Sequence, residues 1–264
     1  MFIKHVKRFF IPLFGSFLLS ACATSPLGRS QLLMQDETGL ATTSAKSFAQ
    51  MKQEKTINKD QKVNRYVTCV VSALSQEVVG NWEVVVFEDS QANAFALPGG
   101  KIGVYTGILK IANNQDQLAA IIGHEMSHVL SHHANERMSA GTLANLGLVV
   151  LGLASNRDQG TQLAIAALGL GVQFGILMPY SRAHETEADL LGLDIMAKAG
   201  FNPEEAPKLW QKMKQNKKEQ VPEWMSTHPS DDTRIQQLSE RVPEALYIMR
   251  TAQQQEHKTP NCRP

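Results

Sequence analysis

A chain of 264 residues can bury a substantial core as one domain or as a domain with appendages. Its 26 Lys and Arg against 25 Asp and Glu leave a formal charge of +1, which gives no basis for a nucleic-acid partner. Hydrophobic residues make up 43%, an ordinary globular share that excludes long disorder away from the ends.

The first residues, "MFIKHVKRFFIPLFGSFLLSAC", place Lys4, Lys7 and Arg8 before an apolar run from Phe9 to Leu19. The run is short and soon interrupted, as in a secretory signal peptide and unlike a spanning helix. It ends in "LSAC", which resembles a bacterial lipobox; that resemblance implies a signal peptide over 1–21 and lipidation of Cys22. Ala23 after the cysteine implies the outer membrane of a Gram-negative bacterium, hence a periplasmic, lipid-anchored protein. Residues 22–35 then read as a tether, 36–250 as the main domain and 251–264 as a polar tail. In an oxidising compartment the two remaining cysteines, Cys69 and Cys262, are a candidate disulfide tying that tail to the body.

Apolar residues recur at helical spacing from Asp36 to Val79, which predicts two helices with a break near Asn58. "NWEVVVFED" (81–89) reads as a strand, and "ANAFALPGGKIGVYTGIL" (92–109) as a hairpin turning at Pro98-Gly99-Gly100. Residues 101–107 are the candidate free edge for an extended peptide. A helix capped by Asn114 or Asp116 follows, then an apolar, glycine-rich segment (141–180) that reads as two close-packed helices. Further helices are expected over 181–200, from Asn202, from about Asp232 and after Pro243, with "VPEWMSTHPSDD" as a loop. The fold class is α+β: mostly helical, with one small sheet of about three strands.

Within the third of these helices, His124 and His128 are four residues apart and share a face, so both can hold one metal ion. Glu125 is rotated away from them, where it can hydrogen-bond water beside the metal without ligating it. Two imidazoles suit zinc, and a catalytic zinc needs a third protein ligand and an open position. His132 is about 12 Å further along a continuous helix than His124 and is too far, while His133 sits at the wrong angle; both read as solvated or supporting residues. In "HETEAD", Glu185 and Asp189 share a face while Glu187 points elsewhere. One carboxylate of such a pair can ligate zinc and the other can accept the distal N–H of a ligating histidine.

"HEMSH", "SRAHETEAD" and "STHPSDDTR" together resemble the M48 metallopeptidase family, and "GRSQL" (28–32) with the hairpin resembles its soluble bacterial and Oma-type branch. The resemblance implies a thermolysin-like gluzincin core whose zinc helix packs on the sheet. It implies one zinc ion on His124, His128 and Glu185, Glu125 as general base, and Asp189 supporting a ligand. His228 is implied near the zinc, either stabilising the oxyanion or capping the metal, with Arg234 orienting it, meeting negative charge, or pairing with Asp231 or Asp232. The expected function is a zinc endopeptidase acting on unfolded or misfolded envelope proteins in quality control. Two alternatives are a chaperone-like binding factor with a latent, His228-capped site, and a deformylase-type hydrolase, against which the export signal and "HETEAD" both count.

Overall fold

The computed structural model describes residues 22–154, 180–216, 223–228, 232–254 and 259–263. In chain order the elements begin with strands β1 (Cys22–Thr24) and β2 (Ser30–Leu32), then helices α1 (Glu37–Glu54) and α2 (Gln61–Ser75). Strands β3 (Glu83–Phe87), β4 (Ala94–Leu97) and β5 (Lys101–Tyr105) follow, with a 3-10 turn over Thr106–Lys110. The further elements among the described residues are helices: α3 (Gln115–Leu130), α4 (His133–Ala154), α5 (Arg182–Lys198), α6 (Glu205–Asn216), α7 (Glu223–Thr227) and α8 (Asp232–Gln254). The described residues fall into two compact units, one of 22–36 with 134–154 and one of 37–133 with the described residues from 180 onward.

In the first unit, the stretch expected as a tether carries the antiparallel pair β1–β2, with Ala23 opposite Gln31. The Arg29 guanidinium grips the Glu136 carboxylate through two bonds of 2.6 Å, and the Gln31 amide adds a third at 2.9 Å. The Met34 N–H donates to the Ser139 hydroxyl, so the segment after the strands is fastened to α4 residue by residue. The expected signal peptide, 1–21, lies outside the described residues, as does most of the apolar segment 141–180 beyond Ala154. Among the described residues no helix is long and apolar enough to cross a membrane.

In the second unit, the Asp60 carboxylate caps α2 on the Lys62 and Val63 N–H groups, and the helix buries Val67, Val70, Val71 and Leu74. That i, i+3, i+4, i+7 face is the apolar stripe a core-facing helix needs. Gly99 and Gly100, both at positive φ, form the hairpin turn, and a Cβ on Gly100 would lie 2.2 Å from the Asn81 carbonyl oxygen. The sheet order is β3-β5-β4, with β5 parallel to β3 and antiparallel to β4. This corrects the expectation for residues 101–107, because β5 is the central strand with both edges paired. A hairpin is legible from its turn, but the parallel return of β5 onto β3 leaves no local mark. The far edge of β3 is covered: Asn58 N–H donates to the Val86 carbonyl and Glu88 N–H to the Thr56 carbonyl, each at 2.8 Å. β4 is therefore the outer strand, and α3 packs against it.

Phe48 of α1, Phe87 and Tyr105 form a buried aromatic cluster with edge-to-face contacts at centroid distances of 6.0–6.2 Å. Helix α8 runs through Pro243 as one element where two were expected, and α7 is a short helix in the expected loop. Cys69 and Cys262 are joined by a disulfide with Cα atoms 5.7 Å apart. The C-terminal tail is also held to the first turn of α3, because the Cys262 N–H donates to Gln115 Oε1 and the Gln115 amide to the Pro260 carbonyl.

Candidate metal centre

Helix α3 starts where the Asn114 side chain accepts the Gln117 N–H, and it is buried from Gln117 to His128. Helix α5 starts where the Ser181 hydroxyl accepts the His184 N–H. The two helices touch through glycine: a Cβ on Gly192 would lie 2.8 Å from the His124 backbone nitrogen, and one on Gly123 would lie 2.9 Å from the Gly192 carbonyl oxygen. With no side chain between the backbones, α5 carries Glu185 and Asp189 within reach of the α3 histidines.

His124, His128, Glu185 and His228 each aim one ligand atom at a common point, all within 4.8 Å of one another and all buried. The Nε2 atoms of His124 and His128 are 3.0 Å apart, and His228 Nδ1 lies 3.2 Å from His124 Nε2 and 3.0 Å from Glu185 Oε1. Ring nitrogens facing each other at that distance repel unless a proton or a cation stands between them. Imidazoles with one carboxylate are also the donor set that zinc takes, so the residues present fit the metal.

Each member has support behind it. Asp189 Oδ1 lies 2.9 Å from His124 Nδ1, and the Arg234 guanidinium holds both oxygens of Asp189 at 2.7 and 2.8 Å. Arg234 also meets Glu185 Oε2 at 2.6 Å. Arg234 thus pairs with Asp189 and Glu185, while Asp232 pairs with Lys214. His132, at φ 51, is partly exposed and lies 3.0 Å from Glu37, as a solvated residue would. His133 is different. It is completely buried, 2.8 Å from His128 Nδ1 and 3.1 Å from Glu187 Oε2.

Glu125 lies beside the four-residue cluster, accepting the Trp224 indole N–H at 2.7 Å and lying 3.4 Å from His228 Nε2. Trp224, on α7, stacks on the His228 ring at 4.8 Å, and Tyr180 stacks on His128 at 3.9 Å. Sequence reasoning missed Trp224 and Tyr180, and it read Glu187 only as pointing away from the face of Glu185 and Asp189. Trp224 sits in a segment read as a loop, and no motif marks Tyr180.

Burial alone would push the His124 imidazole down, but hydrogen bonds to Asp189 and Glu185 outweigh it and hold it up, to about 9. His128 is pushed well below the usual histidine range, chiefly by burial. Burial would raise Glu185, yet His228, His124 and His128 hold it well below the carboxylate range. Glu185 and His128 are thus in the forms that can bind a cation, and a divalent cation seated there would displace the proton that His124 holds.

Comparison with known proteins agrees with this geometry. The chain is 41% identical over 166 residues to "Mitochondrial metalloendopeptidase OMA1" of Schizosaccharomyces pombe, covering 62% of this chain and 48% of that protein. It is 33% identical over 276 residues to "Metalloendopeptidase OMA1, mitochondrial" of Bos taurus, covering 96% of this chain and 50% of that protein. The "Beta-barrel assembly-enhancing protease" of Escherichia coli is 26% identical over 166 residues, covering 60% of this chain and 34% of its own length. The chain thus spans about half the length, or less, of the curated relatives it matches.

These relatives correct the expected setting. Those matched at higher identity carry mitochondrial names, which overturns the reading of a periplasmic, lipid-anchored protein of the outer membrane. The physical reason is that basic residues before an apolar run report targeting in general, and organellar presequences are basic as well. The profile of Peptidase family M48 matches residues 57–242, well over half of the chain, and the chain belongs to that family.

Proposed function

We propose that the chain is a zinc-dependent endopeptidase that cleaves unfolded or misfolded polypeptides in protein quality control. The observation that supports it most is the buried convergence of His124, His128 and Glu185 with Glu125 alongside. Zinc bound there supplies Lewis-acid polarisation of the scissile carbonyl and eases deprotonation of the attacking water. Glu125 takes that proton as the water oxygen attacks the carbonyl carbon, then delivers it to the leaving amine as the C–N bond breaks. His228 offers Nε2 on the same side as Glu125 and donates to the developing oxyanion. Asp189 accepts the His124 Nδ1–H and Arg234 clamps Asp189 and Glu185, so the ligands keep one tautomer and one orientation.

An extended substrate would pair with the outer strand β4. Tyr105 N–H donates to the Asn93 carbonyl, so the alternation of an antiparallel pair turns the main-chain groups of Ala94 and Ala96 outward. Strand addition of this kind takes its affinity from the backbone and asks little of sequence.

One observation favours a second reading. Glu125 is 2% exposed, with Trp224 on its carboxylate and His228 on the metal cluster, both from residues 224–228. In that reading the protein is a latent, chaperone-like binder whose site opens only when this segment moves. Digestion of an unfolded protein by the chain and by its Glu125→Gln variant, with zinc measured in both, separates the readings. The endopeptidase reading expects zinc in both and cleavage by the parent alone. Zinc in both with no cleavage favours the latent form, and loss of zinc from Glu125→Gln would contradict the role of Glu125 as a base that does not bind the metal.

A further inference from the structure

Helix α3 ends at Leu130, Ser131 caps it, and His132 turns the chain at positive φ before α4 begins at His133. A continuous helix would carry residue 133 away from His128. The reversal instead returns its ring, completely buried, to 2.8 Å from His128 Nδ1. His132 adopts a backbone conformation that costs any side chain something, and no glycine is present to relieve it. Such a corner is kept where the surrounding structure gains from it.

We infer that His133 and Glu187 form a positioning relay that fixes His128 for the metal. The inference rests on reading the four-residue cluster as a metal site. The proton positions follow by elimination along the chain of contacts. The Glu187 carboxylate only accepts, so His133 Nε2, at 3.1 Å, carries a hydrogen and donates to it. A neutral His133 then has a lone pair on Nδ1, and that nitrogen accepts from His128 Nδ1–H. His128 Nε2 is left with its lone pair directed at the cluster, 3.0 Å from His124 Nε2 and 3.4 Å from Glu185 Oε1. Each ring is also held against a flat neighbour: His128 on Tyr180 at 3.9 Å, and His133 on His184 at 4.4 Å.

The two histidines of the α3 pair are therefore supported from the same helix by different routes. Asp189 reaches His124 directly, and Glu187 reaches His128 through an intervening imidazole. Residues 185, 187 and 189 of α5 thus divide three tasks: a donor in the cluster, the end of the relay, and a direct partner. His133 and Glu187 are positioning residues, since neither reaches the cluster itself.

The test measures zinc affinity by competition with a chromophoric chelator, with the unfolding midpoint of the zinc-free protein as control. His133→Phe keeps a flat ring and removes the acceptor, and it is expected to weaken zinc about 10- to 100-fold. His133→Asn restores an acceptor oxygen near the Nδ1 position and is expected to recover affinity to within about threefold, which a purely structural role would not produce. Glu187→Met, which needs no refolding around a lost ring, is expected to cost roughly 10-fold and carries the test if His133→Phe does not fold. Parent-like zinc affinity in Glu187→Met and in folded His133→Phe overturns the relay while leaving the metal site standing. A parent that takes up no zinc overturns the metal site and the relay together.

Discussion

The aromatic cluster beside the sheet and the polar cluster between α3 and α5 are both buried in the same unit, and they are held by opposite means. Phe48, Phe87 and Tyr105 meet edge to face, and any one contact is worth little by itself. Around His124, nearly every polar contact is a specific pairing: Asp189 with Arg234, Glu185 with Arg234, His133 with Glu187. An apolar interior that loses a side chain leaves a cavity. A polar interior that loses one partner leaves a buried charge without compensation, and the disturbance passes along the pairings.

The largest expected effects set the two interiors against each other. Phe87→Ala should cost about 3–5 kcal/mol through its cavity, read from denaturant unfolding, while zinc affinity stays at the parent value. Arg234→Met should cost a similar 3–5 kcal/mol because Asp189 and Glu185 lose their shared cation, and zinc affinity should fall with it. Equal zinc loss in both variants would mean that the interiors are not separable. Next, Gly192→Ala puts a methyl group where the α3 backbone stands 2.8 Å away. Forcing the helices apart should cost about 1–3 kcal/mol and also weaken zinc, measured in the same two assays.

The most local effect concerns pH, away from the metal. Burial, with Asp116 adding to it, pushes the Tyr66 hydroxyl up to about 12, against an ordinary value of 10.0. The unfolded chain gives up this proton first, so the contribution of Tyr66 is intact below about pH 10 and is lost as pH rises from there towards 12. Unfolding measured at pH 9 and at pH 11.5 should show a loss of order 2 kcal/mol from this group, absent in Tyr66→Phe.

The sequence makes one part of the polar interior legible and hides another. The spacing of His124 with His128, and of Glu185 with Asp189, is one helical turn in each case, so each pair could be assigned to a shared face before any coordinates. What local periodicity cannot carry is a change of direction. Ser131 and His132 bear none of the glycine or proline marks of a corner, so the sequence left His133 open between a solvated and a supporting place, and only the turn shows it completely buried behind His128. Arg234 is 45 residues beyond Asp189, and its choice between near and distant carboxylates depends on how α8 docks on α5. The sheet follows the same pattern: the β4–β5 turn is written in Pro98-Gly99-Gly100, while the parallel pairing that puts β5 in the centre is not.

The most direct measurement of the central claim is anomalous diffraction at the zinc edge from crystals of the chain supplied with one equivalent of zinc. The account predicts a single strong peak about 2.0–2.2 Å from the Nε2 atoms of His124 and His128 and from a Glu185 oxygen, with Glu125 not bonded to it. A peak elsewhere, or bonded to Glu125, or no peak between α3 and α5 would contradict it.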